Sequence, residues 1–350
     1  MRIAQVSPLH EAVPPKLYGG TERVVSYLTE ELVQRGHQVT LFASGDSITS
    51  ARLISTCKTS LRLDNVCKDR ILYHILQLEA VLQLRNEFDI IHFHTEYLHY
   101  PFAKRCQVPV LSTLHGRLDL PDYQALYRVF DGLPLSSISD AQRRPLPLLN
   151  WRGTVYHGLP EGSLAPGQGK GGYLAFLGRI SPEKGVDRAI AIARRSGLPL
   201  KVAAKIDALD REYFDSIRHL FDSSLVEFVG EIDERHKAGF LGDAAALLFP
   251  VEWPEPFGLV MIEAMACGTP VLAFRSGAVP EVVEDGVTGR VVDDVEQAAQ
   301  AIDDVLALDR RRCRITFERR FSASRMADDY LDLYRQLSPT TADTTLAPVE

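Results

Sequence analysis

Three short strings in this chain combine glycine with charged side chains at spacings that suit an anionic ligand. The first is Tyr18-Gly19-Gly20-Thr21-Glu22. A glycine pair lets backbone approach a ligand closely, and a helix start offers unpaired N–H groups at the positive end of its dipole. An ordinary strand-to-helix turn has the same appearance. The second is GRISPEKG, with Arg179 and Lys184 five residues apart. Two such cations can converge on one phosphate, Arg through its planar fork and Lys as a point charge. A solvated basic loop is the alternative, and the place of this string at a strand's carboxyl end favours the ligand.

The third string, EPFGLVMIEAMACGTP over 255–270, is the most informative. It predicts a loop holding Glu255 and a helix that starts near Gly258 and stops at Gly268, with Glu263 about two turns on from Glu255. The N–H groups of Phe257, Gly258 and Leu259 would point out of the helix start, where a phosphate is favoured. Carboxylates accept hydrogen bonds from hydroxyls. An acid on either side of an anion site is the layout of a nucleotide-sugar: hexose, diphosphate, ribose.

The elements that must position these strings read as two α/β series. Arg2 to Val6 is a strand, and Val24, Val25, Leu28, Leu32 and Val33 recur at helical spacing, with Thr21 as the expected cap and Gly36 as the stop. Val39–Ala43 follows as a strand, so a parallel βαβ unit is expected. The pattern returns at Asp89–His94, Val108–Thr113 and Ser136–Ser139, and Asp69–Asn86 reads as a helix. The strongest Gly/Pro/Ser cluster, near 159–172, marks a boundary. Beyond it, strands are predicted at Tyr173–Leu177, Leu200–Ala204, Val226–Val229, Ala245–Phe249 and Pro270–Ala273, and a helix at Gly185–Ser196. Phe321, Met326, Tyr330, Leu333 and Tyr334 give one apolar face near the end. The expected organisation is an α/β chain with a first domain over 1–160, a linker over 161–172, a second domain over 173–320, a helix over 321–337 and a disordered polar tail over 338–350. Ligands of such folds sit at the carboxyl ends of strands, so the cleft between the domains is the expected site.

Composition narrows the function classes. The chain has 350 residues and a net charge of −7, with +1 in the first 165 residues and −8 in the rest. Neither half has the basic excess of a nucleic-acid binder. No apolar run reaches the roughly 18 residues of a membrane helix, so no transmembrane segment is expected. The five cysteines, at 57, 67, 106, 267 and 313, are scattered and unpaired in sequence. They suit a reducing cytoplasm and argue against a disulfide framework or a cysteine zinc site.

The third string resembles the signature of the family 4 glycosyltransferases, retaining enzymes of the GT-B fold, with Glu255 and Glu263 as its E-x7-E pair. GRISPEKG is similar to the family's donor-phosphate segment, and the Gly19-Gly20 loop to its first-domain phosphate loop. GAVPEVVEDGVTG, with Gly277 and Glu281, matches a downstream run. STLHG places His115 where the family has its active-site histidine. Two departures stand out: His157-Gly158 replaces the usual Asn-Gly, and Ala203-Ala204-Lys205-Ile206-Asp207 replaces the usual Gly-x-Gly.

The resemblance implies two Rossmann-like doubly wound domains facing across a cleft, with the helix over 321–337 crossing back to the first. It implies hexosyl transfer with retention from a UDP-, GDP- or ADP-sugar to an acceptor hydroxyl, in glycan, polysaccharide or glycoconjugate synthesis, without metal or other cofactor. Under that reading the catalytic set is His115, Arg179, Lys184 and Glu255. The donor-binding set is Gly19, Gly20, Arg179, Lys184, Glu255, Phe257, Gly258, Leu259 and Glu263. The acceptor (sugar, glycan, lipid-linked or small molecule) is not specified. Lys16, Tyr18, Arg117 and Asp119 are first-domain candidates to meet it. A sugar-nucleotide epimerase of the same fold and a non-catalytic partner subunit are the rival readings.

Other signals carry less. His92 and His94 alternate on a strand and could meet one ion, but no second cluster completes a metal site. Gly167-x-Gly169-x-x-Gly172 precedes a strand instead of following one, so it reads as linker, not as a dinucleotide loop. There is no Asp-x-Asp to anchor a metal–diphosphate. Ser139 is expected to cap a helix.

Overall fold

The computed structural model describes residues 1–16, 19–62, 64 and 66–338. Tyr18 and the expected tail from 339 onward lie outside the described residues.

Short apolar runs bounded by turn residues form strands buried on both faces, as parallel sheets require. The first sheet holds β1 (Arg2–Val6), β2 (Gln38–Phe42), β3 (Arg52–Ile54), β4 (Ile90–Phe93), β5 (Val110–Thr113), β6 (Leu135–Ser137) and β7 (Trp151–Thr154). Its order is β3-β2-β1-β4-β5-β6-β7, parallel throughout. The second sheet holds β8 (Leu174–Arg179), β9 (Leu200–Lys205), β10 (Val226–Gly230), β11 (Ala246–Phe249), β12 (Val271–Phe274) and β13 (Gly289–Val292). Its order is β10-β9-β8-β11-β12-β13, also parallel. In each sheet the order reverses beside the first strand, between β1 and β4 and between β8 and β11. Those switch points open crevices at the strands' carboxyl ends.

Three strands escape the sequence reading. β3 and β7 are the two outer strands of the first sheet, three and four residues long. β13 is four residues long at the edge of the second. Such short segments leave no periodicity to read.

Five helices matter for the site: α1 (Gly20–Gln34), α2 (Val186–Ser196), α3 (Glu234–Asp243), α4 (Leu259–Ala266) and α5 (Ala323–Leu337). α1 starts one residue before Thr21, with Gly19 in the cap position, so the glycines and not the threonine open it. Phe321 does not share the face of α5 with the other apolar residues. It belongs to the second sheet's core, and Ser322 caps the helix that follows. Met326, Tyr330, Leu333 and Tyr334 of α5 pack on Ile3 of β1, Val24 and Leu28 of α1 and Ile90 of β4. The last helix therefore lies on the first sheet. Its entry is pinned by Leu159, whose N–H donates to Phe321 O and whose carbonyl accepts from Ala323 N. A Cβ on Gly158 would stand 2.2 Å from Ser322 O, so only glycine allows this crossing.

Candidate active site

A cleft of about 440 Å³ lies between the two sheets at their carboxyl ends. Gly19, Gly20 and His115 line it from the first domain. Arg179, Lys184, Glu255, Phe257, Gly258, Leu259 and Glu263 line it from the second. Fold topology thus gathers in one cavity every residue named in advance for catalysis or donor binding.

Arg179 ends β8. Its guanidinium meets Glu183 at 2.7 Å and Asp210 at 3.3 Å. Lys184 closes a single 3₁₀ turn, Pro182–Lys184, ahead of α2. Its ammonium donates to Glu255 Oε2 at 2.5 Å and lies 4.9 Å from the centre of the Trp253 ring. Trp253 Nε1 donates to the same oxygen at 2.9 Å. Glu255 is held from behind as well. Ala278 N donates to its carbonyl at 2.8 Å. Gly277 has a φ of +54°, and a Cβ there would come within 2.2 Å of that carbonyl. The downstream GAVPE run acts here by bracing the backbone of Glu255.

Gly258 takes the cap position of α4 with a φ of +83°, where a Cβ would collide with Met261 and press on Phe249. The first-turn amides of Leu259 and Val260 have no intrahelical acceptor, and both residues line the cleft. Glu263, just over one turn along, also lines the cavity. It accepts from Lys237 of α3 at 2.7 Å. Lys237 also reaches Glu234 at 3.0 Å, and Glu234 meets Arg23 of α1 at 2.6 Å, so an ionic chain crosses from the second domain to the first. Sequence reasoning missed Lys237 and Arg23. Arg23 directly follows the Gly-Gly-Thr-Glu string, the one signal that could have found it, whereas Lys237 stands on a helix outside any motif and only tertiary folding brings it to the cleft.

His115 follows β5. Its ring stacks on His157 at 5.4 Å and 16°, and His157 meets the edge of Phe257 at 4.8 Å. A column of three rings therefore joins the two domains at the point where the family usually has Asn-Gly. Glu96, a non-glycine residue with a φ of 49°, aims its carboxylate at the backbone of His115 and Gly116, whose N–H groups donate to it at 3.3 and 3.1 Å. Ala203, Ala204 and Lys205 also line the cleft, and Lys205 pairs with Asp207 at 2.6 Å.

Several other residues settle outside the cleft. Glu281 accepts from Asp140 N at 2.8 Å, Ala141 N at 2.6 Å and the Tyr156 hydroxyl at 3.1 Å, so a second-domain carboxylate caps a first-domain turn of helix. Ser139 accepts from Gln142 N, as a cap should. His92 bonds to Tyr334 and Thr113, while His94 bonds to His115 and Gln5. Both are buried side by side, and it is His115 that faces the cleft. Among the described residues no three His, Cys, Asp or Glu side chains group as a metal site. Lys16 pairs with Asp46, and Arg117 with Asp119. A second cavity, of about 320 Å³, shares Gly19, Gly20 and Thr21 with the cleft and is lined by His10, Glu11, Glu22, Arg62, His94 and Glu96. None of Lys16, Arg117 and Asp119 lines either cavity.

The buried histidines make stability acid-sensitive. Burial pushes His99 and His115 down to about 3, and lowers His92, His94 and His157 well below their ordinary value. Burial pushes Glu22 up to about 7 and raises Glu11 and Glu96. A histidine depressed in the fold is protonated first in the unfolded chain, so its stabilising effect is complete above pH ~6.5 and is lost in acid. Glu22 acts in the opposite sense between pH 7 and 4.5. The five depressed histidines outnumber the three raised carboxylates, so unfolding takes up protons on balance below pH ~6.5, and stability should fall as the pH is lowered. Urea melts at pH 7.5, 6.0 and 5.0 check this. A midpoint that stays constant across that range contradicts it.

Comparison with known proteins places this geometry in a family. Residues 18–154 match the family model described as Glycosyltransferase Family 4, and residues 166–319 match that of Glycosyl transferases group 1. The alpha-maltose-1-phosphate synthase of Mycolicibacterium smegmatis is 31% identical over 189 residues, 47% of this chain and 48% of that protein. The D-inositol 3-phosphate glycosyltransferase of Mycobacterium tuberculosis is 38% identical over 142 residues, 39% of this chain and 29% of that protein. The matched region thus spans half or less of the length of these curated relatives. Among solved structures, sucrose-phosphate synthase from Thermosynechococcus elongatus superposes with a TM-score of 0.79 at 21% identity, covering 96% of this chain and 99% of that one. HepE of Anabaena in complex with UDP and glucose gives 0.72 at 17%, covering 95% and 98%. At such identities the structures speak for the fold alone, GT-B. With each half of the chain matched by its own model and the cleft residues at the junction of the two, this protein belongs to glycosyltransferase family 4.

Proposed function

We propose that this protein transfers a hexose, with retention, from a nucleotide diphosphate-sugar to an acceptor hydroxyl and needs no metal ion or other cofactor. One observation carries the reading. In a single cleft, two cations at the end of β8 and just ahead of α2 stand with the first turn of α4 and the carboxylates Glu255 and Glu263. In this reading Arg179 and Lys184 hold the diphosphate and stabilise the charge that builds on the leaving group, which is electrostatic catalysis. The amides of Phe257, Gly258 and Leu259 and the backbone of Gly19 and Gly20 assist. Glu255 takes the donor sugar's hydroxyls: one of its oxygens is held by Lys184 and Trp253, which orients the other toward a ligand. Glu263, beside Lys237, takes the ribose. His115 lies by the reacting sugar. That HepE, of the same fold, binds UDP supports a nucleoside diphosphate here.

The second cavity is the acceptor's place in this account. Glu11, Glu22 and Glu96 can accept hydrogen bonds from hydroxyls, and Arg62 is already paired with Glu11. This charge balance favours a neutral, hydroxyl-rich acceptor over a phosphorylated one. No helix is long and apolar enough to cross a membrane among the described residues. The unpaired thiols are in keeping with a cytoplasmic setting.

Calorimetry against UDP, GDP and ADP in EDTA tests the donor half. One of the three should bind with a clear preference. No binding to any, or binding only when manganese is added, overturns the reading.

A further inference from the structure

Behind His115 an unbroken run of buried polar side chains leads away from the cleft to the last helix. His115 Nε2 lies 2.9 Å from His94 Nδ1, and His94 Nε2 lies 2.9 Å from Gln5 Oε1. Gln5 Nε2 donates to the Tyr334 hydroxyl at 2.9 Å. Tyr334 in turn stands 2.7 Å from His92 Nδ1, His92 Nε2 stands 2.7 Å from Thr113 Oγ1, and Thr113 donates to the Tyr330 hydroxyl at 3.0 Å. Gln5 is on β1, His94 follows β4, and Tyr330 and Tyr334 are on α5. The run therefore ties a helix that enters from the second domain to a residue lining the cleft.

With the Gln5 amide oxygen facing His94 and its nitrogen facing Tyr334, the proton bookkeeping has one outcome. The amide oxygen of Gln5 can only accept, so His94 carries its proton on Nε2. A neutral His94 then has a lone pair on Nδ1, which must accept from His115 Nε2–H. His115 is left with a bare lone pair on Nδ1. Burial keeps both rings neutral. That Nδ1 is itself buried and has no partner, whereas both ring nitrogens of His92 and His94 are bonded. An unmet buried acceptor beside a cleft calls for a donor from the ligand.

We propose that Gln5, clamped between Tyr334 and His94, fixes His115 in the Nε2–H tautomer, so that His115 presents an acceptor to a hydroxyl of the bound sugar. Gln5, His94 and Tyr334 are positioning residues in this scheme and touch no substrate. The opposite tautomer would aim an N–H at the sugar, where positive charge develops as the glycosidic bond breaks, and would turn the hydroxyl from donor to acceptor. The part of the proposal that concerns turnover rests on the transferase reading above; the tautomer does not.

Two measurements separate these parts. In the full-length protein labelled with ¹⁵N-histidine, a long-range proton–nitrogen spectrum reports which ring nitrogen of His115 is protonated, with His115→Gln used for assignment. The wild type should show Nε2 protonated and Nδ1 bare. Tyr334→Phe, which keeps the ring but frees Gln5 to turn over, should give a mixture of tautomers, and Gln5→Leu should do the same more completely. In the transfer assay, Tyr334→Phe should lower kcat about tenfold, the size of one lost orienting hydrogen bond, with the donor KM within twofold. An Nδ1–H tautomer in the wild type overturns the proposal. So does an unchanged tautomer in Tyr334→Phe, the milder variant should Gln5→Leu fail to fold. A tautomer shift with unchanged kcat overturns the catalytic part, and an inactive wild type with the expected spectrum faults the transferase reading instead.

Discussion

Lys184→Ala and Arg179→Ala are each expected to lower turnover by about 10²–10³-fold, because in the proposed reading each removes one preorganised charge from the leaving diphosphate. The two variants should differ in stability. Arg179 sits in a part-exposed ionic cluster with Glu183 and Asp210, so its loss costs little. Lys184 neutralises a buried carboxylate, and without it Glu255 keeps only the Trp253 donor. A loss of about 1–3 kcal/mol should therefore accompany Lys184→Ala, small enough for the fold to persist. Steady-state rates and melts on the same preparations decide the matter. Wild-type turnover in both variants would show that the two cations serve only their local carboxylates.

The two carboxylates of the cleft should separate by role. In the proposed reading Glu255 takes the donor sugar, beside the bond that breaks, and Glu263, within α4 and paired with Lys237, takes the ribose. Glu255→Ala should lower turnover sharply and leave binding of the free nucleoside diphosphate nearly intact. Glu263→Ala should weaken that binding by about 10–100-fold, the worth of one or two hydrogen bonds to a charged group. Lys237 retains Glu234 in this variant, so an uncompensated buried cation does not confuse the result. Calorimetry with the free diphosphate is the observable, since contacts far from the reacting atoms also influence turnover. Loss of binding in Glu255→Ala with retention in Glu263→Ala would reverse the donor's orientation.

The donor side of this cleft was legible in the sequence because its chemistry is local. Glycines at 258 and 268 bracket a helix that carries Glu263, with Glu255 in the loop just before it, and Arg179 and Lys184 flank a single turn. Central strands read clearly from their apolar runs, whereas β3, β7 and β13 are edge or near-edge segments too short to show a period. What escaped is what folding assembles from afar. Lys237 and Arg23 share Glu234 across the domains, His157 stacks on His115 from 42 positions away, and Tyr334 reaches Gln5 across almost the whole chain. Gly277 was visible as part of a motif, but its use, to let a loop press on the backbone of Glu255, needs coordinates.

The central claim is that sugar leaves a nucleoside diphosphate for an acceptor hydroxyl under the charge of protein side chains alone. The most direct measurement is release of nucleoside diphosphate from UDP-, GDP- and ADP-hexoses in EDTA, with and without a panel of neutral sugars. Release that depends on an acceptor, with a glycosylated product of the donor's anomeric configuration, is the expected result. Release only with added divalent metal, or conversion of the donor sugar without any acceptor, would contradict it.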